Sequence, residues 1–231
     1  MTRTALDAIR GEGAELVELD RGYDDVVRLA AASVEGRPED LLVQDTARDG
    51  YEDVPGWIVD GYSTLFVETD AQLATRGLSP SHVVVPVGVG SLAQAAVAHY
   101  RRTSAHRPRL VGVEPVTAAC VARSLQSGEL RTVATAPTVM TGLNCGTPSR
   151  SAWPLLRGGL DLAVTVTDDQ AVEAVRELAA AGIDAGPCGG ATWAAACTLR
   201  HVPVAGLDAD AVVVLISTEG RRANPLPTRA G

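Results

Sequence analysis

The densest chemical signal in the chain is the string Pro86-Val87-Gly88-Val89-Gly90-Ser91-Leu92-Ala93. A β-branched apolar run precedes it and a helical pattern over 91–103 follows, so its glycines fall at a strand-to-helix turn. Glycine at such a turn lets the backbone come close to an anion. The first N–H groups of the helix, together with the positive end of its dipole, then bind phosphate oxygens. Without a ligand the same string is a tight turn and nothing more. Gly88-x-Gly90-x-x-Ala93 also satisfies the dinucleotide fingerprint, and Glu114 stands 24 residues after Gly90, near the ~20 expected of the ribose-binding acid. On pattern alone an NAD-binding oxidoreductase is a fair reading. Against it, the fingerprint usually opens its nucleotide-binding unit, and here more than 80 residues come first.

Other reactive side chains are sparse. The cysteines at 120, 145, 188 and 197 form no CxxC pair and no zinc-ligand spacing, which fits reduced thiols and no metal. Cys188 sits at a helix start and reads as a small packed residue, because no histidine or lysine lies near it in sequence to activate the thiol. His82, His99, His106 and His201 are scattered, and His99 is expected on a helix surface. All 20 basic residues are arginine. Chemistry that needs a lysine amine is therefore closed to these residues.

The elements that must hold the glycine string in place follow from a wider pattern. Of 231 residues, 46% are hydrophobic and 21% charged, a globular composition. A chain of this length buries roughly 70% of its unfolded surface without help from disulfides. The net charge of −8 and the lack of any basic cluster beyond Arg101-Arg102 speak against nucleic acid. No apolar run reaches ~18 residues, so a cytoplasmic protein with no membrane segment is expected. Strands are predicted at 14–19, 40–43, 81–87, 109–113, 162–166 and 211–216. The runs at 83–87 and 211–216 are apolar enough for burial on both faces. Helical patterns lie between them: one over 4–13, and one opened at Thr167 by a T-x-x-Q capping box and closed by Gly182. The pattern is α/β with a mainly parallel sheet and helices on both faces. Residues 126–150 form a long irregular segment, which is more often functional than idle. The tail 221–231 looks loose.

Several strings beyond the glycine loop come in a familiar order. They are Tyr23-Asp24-Asp25, Gln44-Asp45-Thr46-Ala47 leading to Gly50-Tyr51, Gly61-Tyr62, Val113-Glu114-Pro115, Gly142-Leu143-Asn144-Cys145-Gly146 and Ser217-Thr218-Glu219-Gly220. This series resembles the fold-type II pyridoxal-phosphate enzymes (tryptophan synthase beta-like), and among them the diaminopropionate ammonia-lyases, over nearly the whole chain.

The resemblance implies pyridoxal 5'-phosphate as cofactor, with Gly88, Val89, Gly90, Ser91 and Leu92 around its phosphate. It places Thr218 near the pyridine nitrogen and Asp45 near the ammonium group of a small amino-acid substrate. Family members carry a further N-terminal segment with the lysine that holds the cofactor covalently. In its absence cofactor binding would be non-covalent, and the chain would be a truncated form or one part of a split enzyme, inactive alone. Residues 1–45 are then expected to be a remnant of a small α/β domain, residues 46–220 the large cofactor-binding domain. Residues 1–45 would then either be marginally folded or have their exposed strand edge covered by a partner, and the family implies a homodimer or a complementary N-terminal chain. At Gly186-Pro187-Cys188-Gly189-Gly190 the resemblance calls for a serine- and glutamate-bearing glycine turn, and Pro187 removes a backbone donor there. Three functions stand at this point: an ammonia-lyase lineage giving pyruvate and ammonia, a non-catalytic ligand-binding descendant, and the NAD-binding oxidoreductase.

Overall fold

A computed structural model describes residues 3–103 and 106–226. Four strands, β1 (His82–Pro86), β2 (Arg109–Pro115), β3 (Leu162–Val166) and β4 (Val213–Leu215), form a wholly parallel sheet in the order β3-β2-β1-β4. In register, His82 lies beside Arg109 on one side and Val213 on the other, while Val111 lies beside Leu162. Every residue of β1 is buried. Val83 and Val85 enter one core with Phe66, Leu110 and Leu156, and Val84 enters the other with Val111, Ala195 and Leu199. That alternation is the two-residue period of a strand covered on both faces.

The first face is covered by α3 (Asp53–Ala74), α4 (Ser91–Ala98), α5 (Cys120–Ser127) and α6 (Ala152–Gly159), through Phe66, Val97, Val121 and Leu156 among others. The second face is covered by α7 (Asp168–Ala180) and α8 (Pro187–Leu199), largely through alanines that let the helices lie close. The α/β architecture read from the sequence is the one observed. Thr167 caps α7 with the full reciprocal box to Gln170, and Gly182 takes φ +79° just beyond its end.

Four expectations need correction. Residues 14–19 and 40–43 form no strand. Val17 is 74% exposed and Leu41 69%, and neither run meets a ladder partner among the described residues. These runs connect α1 (Arg3–Gly11) and α2 (Tyr23–Ser33) to the rest, and neither helix has a buried residue. The helix expected over 91–103 ends its α portion at Ala98 and continues as a π-helical turn, His99–Thr103. That turn brings His99 inward, where Nε2 lies 2.8 Å from Asp70 Oδ2 beside the buried Tyr100, so it is not a surface histidine. Finally, the expected loose tail begins with a docked turn. Asn224 is buried and Arg221 pairs with Asp184 at 2.7 Å. Residues 227–231 lie outside the described residues.

Candidate functional site

At the carboxyl end of β1 the backbone leaves the sheet through residues 87–90 and enters α4. Val87 N–H still bonds Val113 O at 2.9 Å, so the loop starts from a fixed ladder. Gly90, the residue before α4, holds φ +101°, and a Cβ there would meet Leu156 Cδ1 at 2.7 Å. A Cβ on Gly88 would meet Gly142 O at 3.0 Å and Cys145 Sγ at 3.1 Å. Glycine is thus required twice, once for a left-handed backbone and once for close approach. The opening N–H groups of α4, on Ser91, Leu92 and Ala93, have no partner within the helix by geometry. Ser91 Oγ donates to Asp45 O at 3.0 Å and ties the loop to the 44–47 segment.

A cavity of about 340 Å³ opens here, lined by Asp45, Gly88, Val89, Gly90, Ser91, Leu92 and Thr218 together with Tyr23, Tyr62 and Cys145. It lies outside the carboxyl ends of the strands, where ligands of parallel α/β sheets gather, and its size suits a small molecule. All seven residues singled out in the sequence therefore line one space. Residues given no role in advance join them: Tyr23, Tyr62, Gly142, Leu143 and Cys145. Their strings were visible, but nothing in the spacing told that the 140s fold back over the glycine loop.

The cavity has two chemical ends. One is the amide-rich loop, which suits an anion. The other holds Asp45, whose Oδ1 accepts from Tyr23 OH and Gln44 Nε2, both at 3.2 Å. Burial and the nearby Asp45 push the Tyr23 phenol well above its ordinary range, and the same two causes raise that of Tyr62. Both therefore stay neutral hydroxyls at physiological pH. Burial, reinforced by Asp45 and Asp24, pushes the Cys145 thiol up to about 12, so it is no nucleophile near neutrality. Thr218 follows β4 and is exposed to the cavity as a neutral hydroxyl.

Glu114 does not line the cavity. It is buried, and its two carboxyl oxygens accept the N–H of Val121 at 2.8 Å and of Ala122 at 2.7 Å, capping α5. A group so engaged is not offered to a ribose. Pro187 is placed without cost at the first position of α8, where its missing N–H would have had no helical partner. Cys188 is buried, and its N–H reaches Glu219 Oε1 at 2.8 Å. Burial raises its thiol further, and the carboxylate of Glu219 adds to the effect. It is the packed residue expected. Among the described residues no group of three or more His, Cys, Asp or Glu side chains could hold a metal ion, and no helix is long and apolar enough to cross a membrane.

Residues 1–219 match the pyridoxal-phosphate-dependent enzyme family, and the chain belongs to that family. Its particular relatives include the diaminopropionate ammonia-lyase of Salmonella typhimurium, 36% identical over 230 residues, which cover 92% of this chain and 57% of that protein. The Escherichia coli protein of the same name is 33% identical over 93% of this chain and 57% of its own length. A crystal structure of the E. coli diaminopropionate ammonia lyase superposes with a TM-score of 0.87 at 31% identity, over 96% of this chain and 60% of that one. Maize serine racemase shares the fold, with a TM-score of 0.73 at 18% identity over 92% of this chain and 60% of that one. The chain thus spans somewhat over half the length of the curated ammonia-lyases it matches.

The residues present fit the family's cofactor in part. An amide loop that no side chain fills suits a phosphate, and a neutral hydroxyl at Thr218 suits a pyridine nitrogen. The amine that would hold the aldehyde is missing from all 231 residues.

Proposed function

We propose that this chain forms the phosphate- and ring-binding part of a pyridoxal-phosphate-dependent ammonia-lyase acting on 2,3-diaminopropionate or a similar small amino acid, giving pyruvate and ammonia. The observation that carries this reading is the convergence of Asp45, the 88–92 loop and Thr218 on one cavity. The loop N–H groups and the start of α4 bind the phosphate. Thr218 hydrogen-bonds the ring nitrogen without supplying a charge. Asp45, oriented by the neutral Tyr23 hydroxyl and by Gln44, meets the substrate ammonium. Pyridoxal phosphate bound there supplies the electron sink for loss of the Cα proton and the β-amino group. The amine for covalent capture and proton removal comes from outside these residues, in a complementary N-terminal segment. The assembled enzyme is cytoplasmic and works as a homodimer or with that second chain.

A second reading, a cofactor-binding protein without turnover, is favoured by the lysine-free composition. One experiment separates the two. Purified chain is titrated with pyridoxal phosphate by absorbance, then given 2,3-diaminopropionate in a pyruvate assay, alone and with a lysine-bearing N-terminal segment of a relative. Saturable binding with free-aldehyde absorbance is expected. Pyruvate should exceed the cofactor-only control only with the added segment. No binding overturns the reading of the site, and turnover by the chain alone overturns the claim that the base comes from elsewhere. Binding without turnover even with the segment selects the second reading.

A further inference from the structure

Asn224 stands beyond the last strand, yet the residue is only 6% exposed. Its Nδ2 donates to Val139 O at 3.0 Å and also lies 3.3 Å from Thr141 Oγ1 and 3.4 Å from Glu219 Oε1. A side-chain amide has two N–H bonds, so three acceptors share them and Val139 O takes the shortest. The partners belong to two different walls. Val139 and Thr141 lead into Gly142 and Leu143, and Glu219 directly follows Thr218; Gly142, Leu143 and Thr218 all line the cavity. Glu219 is fixed in turn, since its Oε1 accepts from Cys188 N–H and its carbonyl from Gly186 N–H, each at 2.8 Å. The network therefore runs from the 139–143 wall, through Asn224, to the start of α8.

We propose that Asn224 is a positioning residue that clasps the 139–143 wall to the Thr218–Glu219 wall and so sets the width of the ring-binding end of the cavity. Its consequence for the cofactor rests on the reading of the cavity given above. The clasp itself is a property of this chain alone. Donation, not volume, is the operative feature: the amide hydrogens go to a carbonyl oxygen, a hydroxyl oxygen and a carboxylate oxygen.

The test uses the purified full chain as wild type, Asn224→Ala and Asn224→Asp. Aspartate keeps the size and replaces the donor with an acceptor. Pyridoxal phosphate affinity is measured by absorbance titration between pH 5.5 and pH 8.5, and amide hydrogen exchange over 139–145 and 217–220 is followed without cofactor. Circular dichroism and thermal melting confirm that each variant is folded. Both variants are expected to bind roughly tenfold more weakly at pH 7.5, the scale of one lost buried hydrogen bond, and both sets of amides should exchange faster. As pH falls and its carboxyl takes a proton, Asn224→Asp regains a donor and approaches wild type, whereas Asn224→Ala does not. The other ionisable groups around the clasp are Glu219, Cys188, Asp168 on the far side of Val139, and the Asp184–Arg221 pair. They are common to all three proteins, and only Asn224→Asp adds a carboxyl beside Glu219, so its profile is compared with those of both wild type and Asn224→Ala.

A merely space-filling role would leave Asn224→Asp equal to wild type at every pH. That result, or unchanged exchange in both variants, overturns the clasp. If wild type binds no pyridoxal phosphate, the reading of the cavity falls, and the exchange measurement still decides the clasp. If wild type binds and neither variant differs, the clasp falls and the cavity reading stands.

Discussion

Residues 3–43 and residues 53–226 are built by the same chain under different rules. The second stretch buries its apolar residues on both faces of a parallel sheet: Val83, Val84, Val85, Leu110 and Val111 are fully buried. The first holds two amphipathic helices with no buried residue, and Val17, Leu41 and Val43 are 74%, 69% and 67% exposed. Periodicity makes a helix possible in both places; only the sheet region has a surface on which to spend it. Among the described residues, 3–43 therefore lack a surface that covers their apolar side chains.

The contrast should be largest in the response to truncation. Phe66→Ala, in the core of α3, is expected to cost about 3–5 kcal/mol in urea unfolding. Leu29→Ala, on α2, should stay within about 0.5 kcal/mol. Equal losses would erase the distinction. Next in size is Gly90→Ala at the sheet's functional edge. The left-handed backbone costs about 1–2 kcal/mol and overpacking against Leu156 about 1–3 kcal/mol, so both the melting temperature and pyridoxal phosphate affinity should fall. An unchanged affinity would separate the loop from the cofactor.

Amide exchange sharpens the comparison without mutation. Residues 82–86 should open only with global unfolding, and residues 14–43 by local fraying. Uniform protection across 14–43 in a monomer would contradict the view that this stretch lacks a covering surface.

Smaller still is a pH effect inside the better-packed region. Burial outweighs the two N–H bonds to Glu114 and raises its carboxyl from 4.5 to about 7. The native state then holds a proton that the unfolded chain releases, so this group's contribution to stability is fully present below pH 4.5 and is lost as pH rises to about 7. Glu114→Gln should flatten that part of the melting-temperature profile; an unaltered slope would assign it to other groups. The least effect is expected from thiol labelling. Cys197 is partly exposed and should alkylate before the buried Cys120, Cys145 and Cys188.

What the sequence disclosed follows the same division. The runs at 81–87, 109–113 and 162–166 became β1, β2 and β3 because apolar alternation met partners in parallel register. The runs at 14–19 and 40–43 carry similar residues and became connections, since a strand is completed by its neighbour and not by its own composition. At the site, the glycine string, Asp45 and Thr218 were legible because each needs a particular residue type. Tyr62 and Cys145 were not assigned, as their place depends on how α3 and the 140s fold over the loop. Asn224 was hidden for the same reason: its bonds reach back 85 residues to Val139.

The sheet order has a kinetic side. None of its pairings is a hairpin, and β4, which flanks β1, is separated from it by 131 residues at His82 and Val213. Such closures are entropically slow. During synthesis β1 therefore emerges and pairs with β2 long before its other edge can be covered. A nascent chain halted before residue 213 would present that bare edge to its neighbours, and β-strand association between ribosome-bound chains is the hazard it would face.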